Sequence, residues 1–169
     1  MRIYLAGFDV FRPDAVAHGE RLKALCAELG MQGWYPLDNE IARDLRSAEA
    51  ARAICEANLD LIRRCDAVAA NLNPFRGHEP DSGTVFEVGY AVALGKPVWA
   101  YAEAAGDIVS RVTGQRAEAG MVYTDGQGYT VENFGLGLNL MIACSVRLVP
   151  GDAAACLRAL AAAHGLTAP

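Results

Sequence analysis

Asp66-Ala-Val-Ala-Ala-Asn71 encloses a continuous run of small apolar residues, 67–70, with no polar side chain at alternate positions. A strand with one wet face alternates; a strand covered on both faces does not. Residues 66–71 therefore read as a strand held between two layers of helix. Upstream, about Ala48 to Arg64 reads as a helix, with Ile54, Leu61 and Ile62 supplying apolar contacts. Downstream, Asp81-Ser82 reads as a helix N-cap, and Val85, Val88, Ala91, Val92 and Leu94 carry that helix to Gly95. Lys96-Pro-Val-Trp-Ala-Tyr101 is the next strand. At the N-terminus, Arg2 to Ala6 makes a first strand ending at Gly7, residues 15–29 a helix, and Trp34-Tyr35 a brief second strand. This β-α-β-α-β-α-β order predicts an α/β fold, a single Rossmann-like (flavodoxin-like) three-layer domain over residues 1–169, its parallel sheet flanked by helices. Ligands bind such sheets beyond the carboxyl ends of the strands, so residues 7–11, 36–40 and 71–81 should ring one crevice.

After Tyr101 the pattern loosens. Residues 106–128 hold many Gly, Ala and polar residues and read as a mobile or oligomer-facing excursion, while 134–144 and 151–164 return as helical segments. The net charge of −5 and the absence of a Lys/Arg cluster argue against a nucleic-acid polymer as partner. A composition 53% hydrophobic and 21% charged is that of a globular chain. Five cysteines, none in a C-x-x-C pair, and three scattered histidines point to buried thiols in a reducing compartment and to no metal centre. The chain opens directly as a strand and has no apolar run of membrane length, so a cytoplasmic protein without signal peptide or membrane partner is expected.

Two carboxylates carry the chemical interest. Glu87 lies between Phe86 and Val88 on a helix that faces the sheet, where a charge is costly without a partner or a task. Asp81 has a purely structural explanation as an N-cap. Tyr4, in the first strand, is either a core ring or a hydroxyl that reaches a carboxylate in the crevice. Gly7 is followed by neither G-x-G-x-x-G spacing nor a Walker lysine, so no dinucleotide or phosphate loop is expected there.

Read together, five stretches resemble the nucleoside 2-deoxyribosyltransferase family in order and spacing: Tyr-Leu-Ala-Gly-Phe-Asp-Val-Phe (4–11), Tyr-Pro-Leu-Asp-Asn-Glu (35–40), residues 58–77, residues 81–98 beginning Asp-Ser-Gly-Thr-Val-Phe-Glu, and Asn-Phe-Gly-Leu-Gly-Leu-Asn-Leu-Met (133–141). The resemblance implies that Glu87 is a nucleophile toward the anomeric carbon and that Tyr4 positions it. It implies that Asp81 grips the sugar 5'-hydroxyl, and that Asn139 and Met141 reach the site from a neighbouring subunit. The protein would then be a dimer-based or hexameric homo-oligomer acting on 2'-deoxynucleosides and free nucleobases. Gly7, Phe8 and Asp38 are expected to line the substrate, and Phe11 and Phe75 are either base contacts or core rings. Parts of the family carry an aspartate eight residues before Asp66; here that residue is Asn58, which can hydrogen-bond a base but cannot protonate it. Asp38 and Glu40 are alternative base contacts, Asp60 points elsewhere on its helix, and the proton donor to the leaving base stays unassigned.

The implied chemistry is a retaining double displacement, without metal or organic cofactor, through a deoxyribosyl ester on Glu87. The rival on the same fold is an N-glycoside hydrolase of nucleosides or nucleoside 5'-monophosphates. The charge of Asp81 disfavours a phosphate there. A non-catalytic nucleotide-sensing module would explain the fold and leave the matched residues to coincidence.

Overall fold

The computed structural model describes residues 1–38, 47–103 and 106–166. Strand β1 (Arg2–Ala6) leads through a 3-10 turn at Phe8–Phe11 into α1 (Ala15–Glu28), β2 (Gln32–Trp34), α2 (Ala48–Arg64), β3 (Ala67–Asn71), α3 (Ser82–Ala93) and β4 (Val98–Ala102). Next come α4 (Ile108–Thr113), β5 (Tyr123–Thr124), β6 (Thr130–Val131), α5 (Leu140–Ala143), β7 (Arg147–Pro150) and α6 (Ala153–Ala163). Five strands form one parallel sheet in the order β2-β1-β3-β4-β7. The order reverses between β1 and β3, and the crevice for a ligand opens at their carboxyl ends.

The pleat divides the core in two. Ile3, Leu5, Ala67, Ala69, Trp99 and Tyr101 face α1 and α6, meeting Leu22, Cys26, Cys156, Leu157 and Leu160. Tyr4, Ala6, Val68, Ala70, Val98 and Ala100 face α2 and α3, meeting Ile62, Cys65, Val88 and Ala91. Alanines in β3 and β4 let both helical layers approach the central strands closely. Tyr4 is therefore a core residue by its ring, fully buried on the α2/α3 face.

The first four predicted strands and three predicted helices stand where the pattern placed them, within a residue or two. The second half differs. Residues 134–144 are not one helix: Gly135 takes the left-handed conformation (φ 69°), and only Leu140–Ala143 is helical. Residues 106–128 are not a bare excursion. Helix α4 and the β5–β6 ribbon close a small core of Ile108, Val109 and Val131. The fifth parallel strand, β7, was not foreseen; as an edge strand it is largely exposed and lacks a buried apolar run. Among the described residues no helix is long and apolar enough to cross a membrane.

Candidate active site

Helix α3 turns its inner stripe, Thr84, Val88 and Ala91, to the sheet. Glu87 falls at helical spacing inside that stripe, three residues after Thr84 and four before Ala91, so its carboxylate is directed toward the carboxyl end of β1. Its neighbour Phe86 points away from the sheet, 59% exposed and stacked on Tyr90. The acid is met from below and from the side. The Tyr4 hydroxyl donates to Glu87 Oε1 at 2.6 Å, and Asn58 Nδ2, from α2, reaches the same oxygen at 3.4 Å. Among the described residues Oε2 accepts no hydrogen bond, and it is not sealed from solvent.

Burial pushes the Glu87 carboxyl up to about 7; the Tyr4 hydrogen bond opposes the shift, the negative charge of Asp81 adds to it, and the Asn58 amide opposes it weakly. The Tyr4 hydroxyl is itself driven well above its ordinary range, by burial first and by Glu87 second, so it stays protonated and acts as a donor. One carboxylate oxygen is thus fixed by hydrogen bonds while the other stays open, the arrangement a nucleophile needs.

Asp81 caps α3: its Oδ2 accepts from Thr84 N at 2.9 Å and from Thr84 Oγ1 at 3.0 Å, which leaves Oδ1 without a partner among the described residues. Gly7 ends β1 at the switch point, where a Cβ would meet Asn71 Cβ and Asp9 Oδ2, each at 2.9 Å; no larger residue fits. Phe8 stacks on Phe75 with ring centroids 4.7 Å apart, Phe11 stacks on Phe75 at 5.5 Å, and the Arg76 guanidinium lies over both Phe11 and Phe75. Of the other residues expected here, Asp38 turns away. Its oxygens go to Lys23 Nζ at 2.7 Å and Tyr35 N at 2.9 Å, tying the loop after β2 to α1. Asp60 pairs with Arg64 at 2.8 Å, and Glu40 lies outside the described residues.

Asn139 and Met141 do not hydrogen-bond to Glu87, Tyr4 or Asp81 within this chain. Asn139 caps α5, accepting from Met141 N at 3.0 Å, and donates to Glu132 Oε1 at 2.7 Å. Met141 is 70% exposed.

Sequence reasoning missed the polar ridge that fixes this end of the sheet. Asn71 Nδ2 donates to the buried Asp9 at 2.8 Å, Asn73 Nδ2 donates to Asn71 Oδ1 at 2.8 Å, and Glu103 N donates to Asn73 Oδ1 at 2.8 Å. The chain of bonds links the ends of β1, β3 and β4 and anchors the turn that carries Phe8. A cavity of about 820 Å³ beyond Asp9 opens toward α1 and α6, on the face opposite Glu87, which does not line it.

A sequence model of the family described as nucleoside 2-deoxyribosyltransferase matches residues 3–141, most of the chain and every residue named above at the Glu87 site. The chain belongs to the nucleoside 2-deoxyribosyltransferase family. Within it, the 2-deoxyribosyltransferase of Leishmania mexicana is similar in structure, with a TM-score of 0.75 at 36% identity over 96% of this chain and 98% of that one. The 2-deoxyribosyltransferase of the psychrotolerant bacterium Bacillus psychrosaccharolyticus shares the fold, with a TM-score of 0.59 at 21% identity over 90% and 88% of the two chains. An uncharacterised protein of Schizosaccharomyces pombe is 39% identical over 99 residues, a stretch that spans 57% of this chain and 47% of the fission yeast protein. Family members of this kind are glycosyl-transfer enzymes, and this chain carries a positioned glutamate at the fold's switch point.

Proposed function

We propose that this protein transfers 2'-deoxyribose between nucleobases, using Glu87 as a covalent nucleophile. The observation that carries the reading is the Tyr4–Glu87 contact of 2.6 Å, with the second carboxylate oxygen open beside the switch point. Cleavage of the N-glycosidic bond builds positive charge at C1' of the sugar, and a carboxylate against that atom stabilises it. Glu87 Oε2 forms the C1'–O bond as the C1'–N bond breaks, and the base leaves with the bonding pair. A second base then displaces the carboxylate, and two inversions return the β configuration.

The remaining residues take supporting roles. Asp81 Oδ1 holds the sugar 5'-hydroxyl, while Oδ2 stays committed to the helix cap. Asn58 both steadies Glu87 and presents an amide to the base edge, the turn at Gly7 lies beside the sugar, and Phe8 flanks the base. The exposed side chains of Phe86, Phe134 and Met141 suit burial against a second copy of the chain, which would bring a neighbour's Asn139 and Met141 over the sugar and exclude water. Substrates are 2'-deoxynucleosides and free bases.

The test is base exchange. Purified protein is mixed with 2'-deoxyinosine and adenine, and separately with thymidine and adenine, without phosphate, beside a Glu87→Ala control. New 2'-deoxyadenosine that the control fails to make supports the proposal. Free base without a new nucleoside would replace it with hydrolysis.

A further inference from the structure

The cavity of about 820 Å³ beyond Asp9 is lined by deeply buried polar groups that the protein leaves unused. Tyr101, near the carboxyl end of β4, is only 7% exposed. Its hydroxyl makes no hydrogen bond among the described residues and is not sealed from solvent. Asp9 is 4% exposed; its Oδ2 accepts from Asn71, while its Oδ1 accepts no hydrogen bond among the described residues and is likewise open. His18 Nε2 lies 3.4 Å from Oδ1 in a direction that makes no hydrogen bond. Burial lowers the His18 imidazole below its ordinary range, with Asp9 opposing, so near neutral pH it brings no charge to the carboxylate. Among the described residues no lysine or arginine pairs with Asp9. An acceptor this deeply buried has lost most of its water, and leaving it without a donor is costly.

Glu103 and Asp152, both exposed, add two more carboxylates to the lining. Asp152 commits Oδ1 to Ala155 N at the cap of α6, and the Glu103 side chain makes no hydrogen bond among the described residues. The guanidiniums of the lining, Arg12 and Arg21, are both tied to Asp14, at 2.9 and 2.8 Å. Three carboxylates therefore face the cavity against two guanidiniums already engaged by a fourth, and the field inside favours a cation. Leu22, Leu25 and Pro74 supply carbon surface. We propose that this cavity is a second binding site, for a small organic ammonium ion of the short-chain diamine class. One ammonium donates to Asp9 Oδ1 and to the Tyr101 hydroxyl, the chain lies on the apolar wall, and the other ammonium meets Glu103 and Asp152. An ammonium carries donors and no acceptor, which suits a site whose free groups are acceptors. A phosphate or carboxylate would set its own charge against Asp9. Tyr4, Asn58, Asp81 and Glu87 do not line the cavity, so the site stands whether or not the protein transfers deoxyribose.

Butane-1,4-diamine is the probe, with butane-1,4-diol as its uncharged counterpart and sodium chloride at matched ionic strength as the control for screening. The readouts are titration calorimetry and thermal unfolding. The diamine should bind the wild-type protein saturably and raise its Tm, where the diol and the salt do not. Binding should weaken roughly tenfold or more in Asp9→Asn, which keeps the shape and loses the charge. It should weaken severalfold in Tyr101→Phe, a variant whose folding is not at stake because the hydroxyl serves no protein group. Glu87→Gln should bind the diamine as the wild type does, so a failure of the transferase reading leaves this result untouched. If Asp9→Asn does not fold, the comparison of wild type with Tyr101→Phe decides. No saturable response in the wild type, an equal response to the diol, or undiminished binding in either folded variant overturns the proposal.

Discussion

At Glu87 the reactive form is the ionised one, and burial works against it. With the carboxyl near 7, kcat/KM for base exchange should climb as pH rises through about 7 and level off above it, a limb that a pH–rate profile will locate. Tyr4→Phe removes a hydrogen bond that favours the carboxylate, so the limb should move to higher pH and kcat should fall about tenfold or more. A tyrosine that served only as a core ring would leave the limb in place. Linkage gives a further expectation. Between the ordinary carboxyl value of 4.5 and about 7, the folded protein holds a proton that the unfolded chain has shed, so stability falls as pH rises across that window. Above it the penalty is complete, on the order of 2 kcal/mol once the partial exposure of the side chain is allowed for. Glu87→Gln should therefore abolish exchange, match the wild-type Tm near pH 4 and exceed it by several degrees at pH 8 in thermal melts. Glu87 was conspicuous in the sequence as a charge among apolar neighbours. Its partnership with Tyr4 came from resemblance, because residues 83 apart give no local sign of contact. Asp9 gave none either: it owes its interest to elements brought together by the fold.

The first turn of helix α3 carries a cap and, in the proposed reading, the grip on the sugar, and the two can be separated. Asp81→Ala loses the cap and should cost about 1 kcal/mol of stability. Asp81→Ser keeps a capping oxygen, so its Tm should stay near wild type while KM for the deoxynucleoside rises. If KM follows Tm in both variants, Asp81 is a cap alone. Among the elements, those between two helical layers were legible because a doubly covered strand writes itself as an unbroken apolar run, as in residues 66–71. Helices α1, α2 and α3 were legible by periodicity. Strand β7 was not, since Arg147, Leu148 and Pro150 are exposed on a sheet edge with one neighbour, and nothing in an edge strand must be apolar. The segment before α5 was overread as helix because its leucines recur, while Gly135 in a left-handed turn breaks the run.

For the whole molecule, the sheet order places Gly7, Asp9 and Asn71 at the reversal between β1 and β3, and the site follows from that topology. In the proposed reading, a second copy of the chain covers Glu87. Asn139 and Met141 stand in a segment that makes no hydrogen bond to the glutamate in its own chain, so two crippled proteins should repair each other. Glu87→Gln mixed with Asn139→Ala, after subunit exchange, should regain a fraction of wild-type exchange through sites that combine an intact Glu87 with a neighbour's intact Asn139. No recovery in a verified mixed oligomer would place Asn139 outside the site. The central claim, a sugar ester on Glu87, is tested most directly by mass spectrometry of protein quenched in acid after incubation with a 2'-deoxynucleoside and no acceptor base. The account predicts a mass gain of one deoxyribosyl group on the peptide containing Glu87, absent from Glu87→Gln and discharged by added adenine with formation of 2'-deoxyadenosine. Base exchange that proceeds at full rate in Glu87→Gln, or an adduct that maps to another residue, would contradict it.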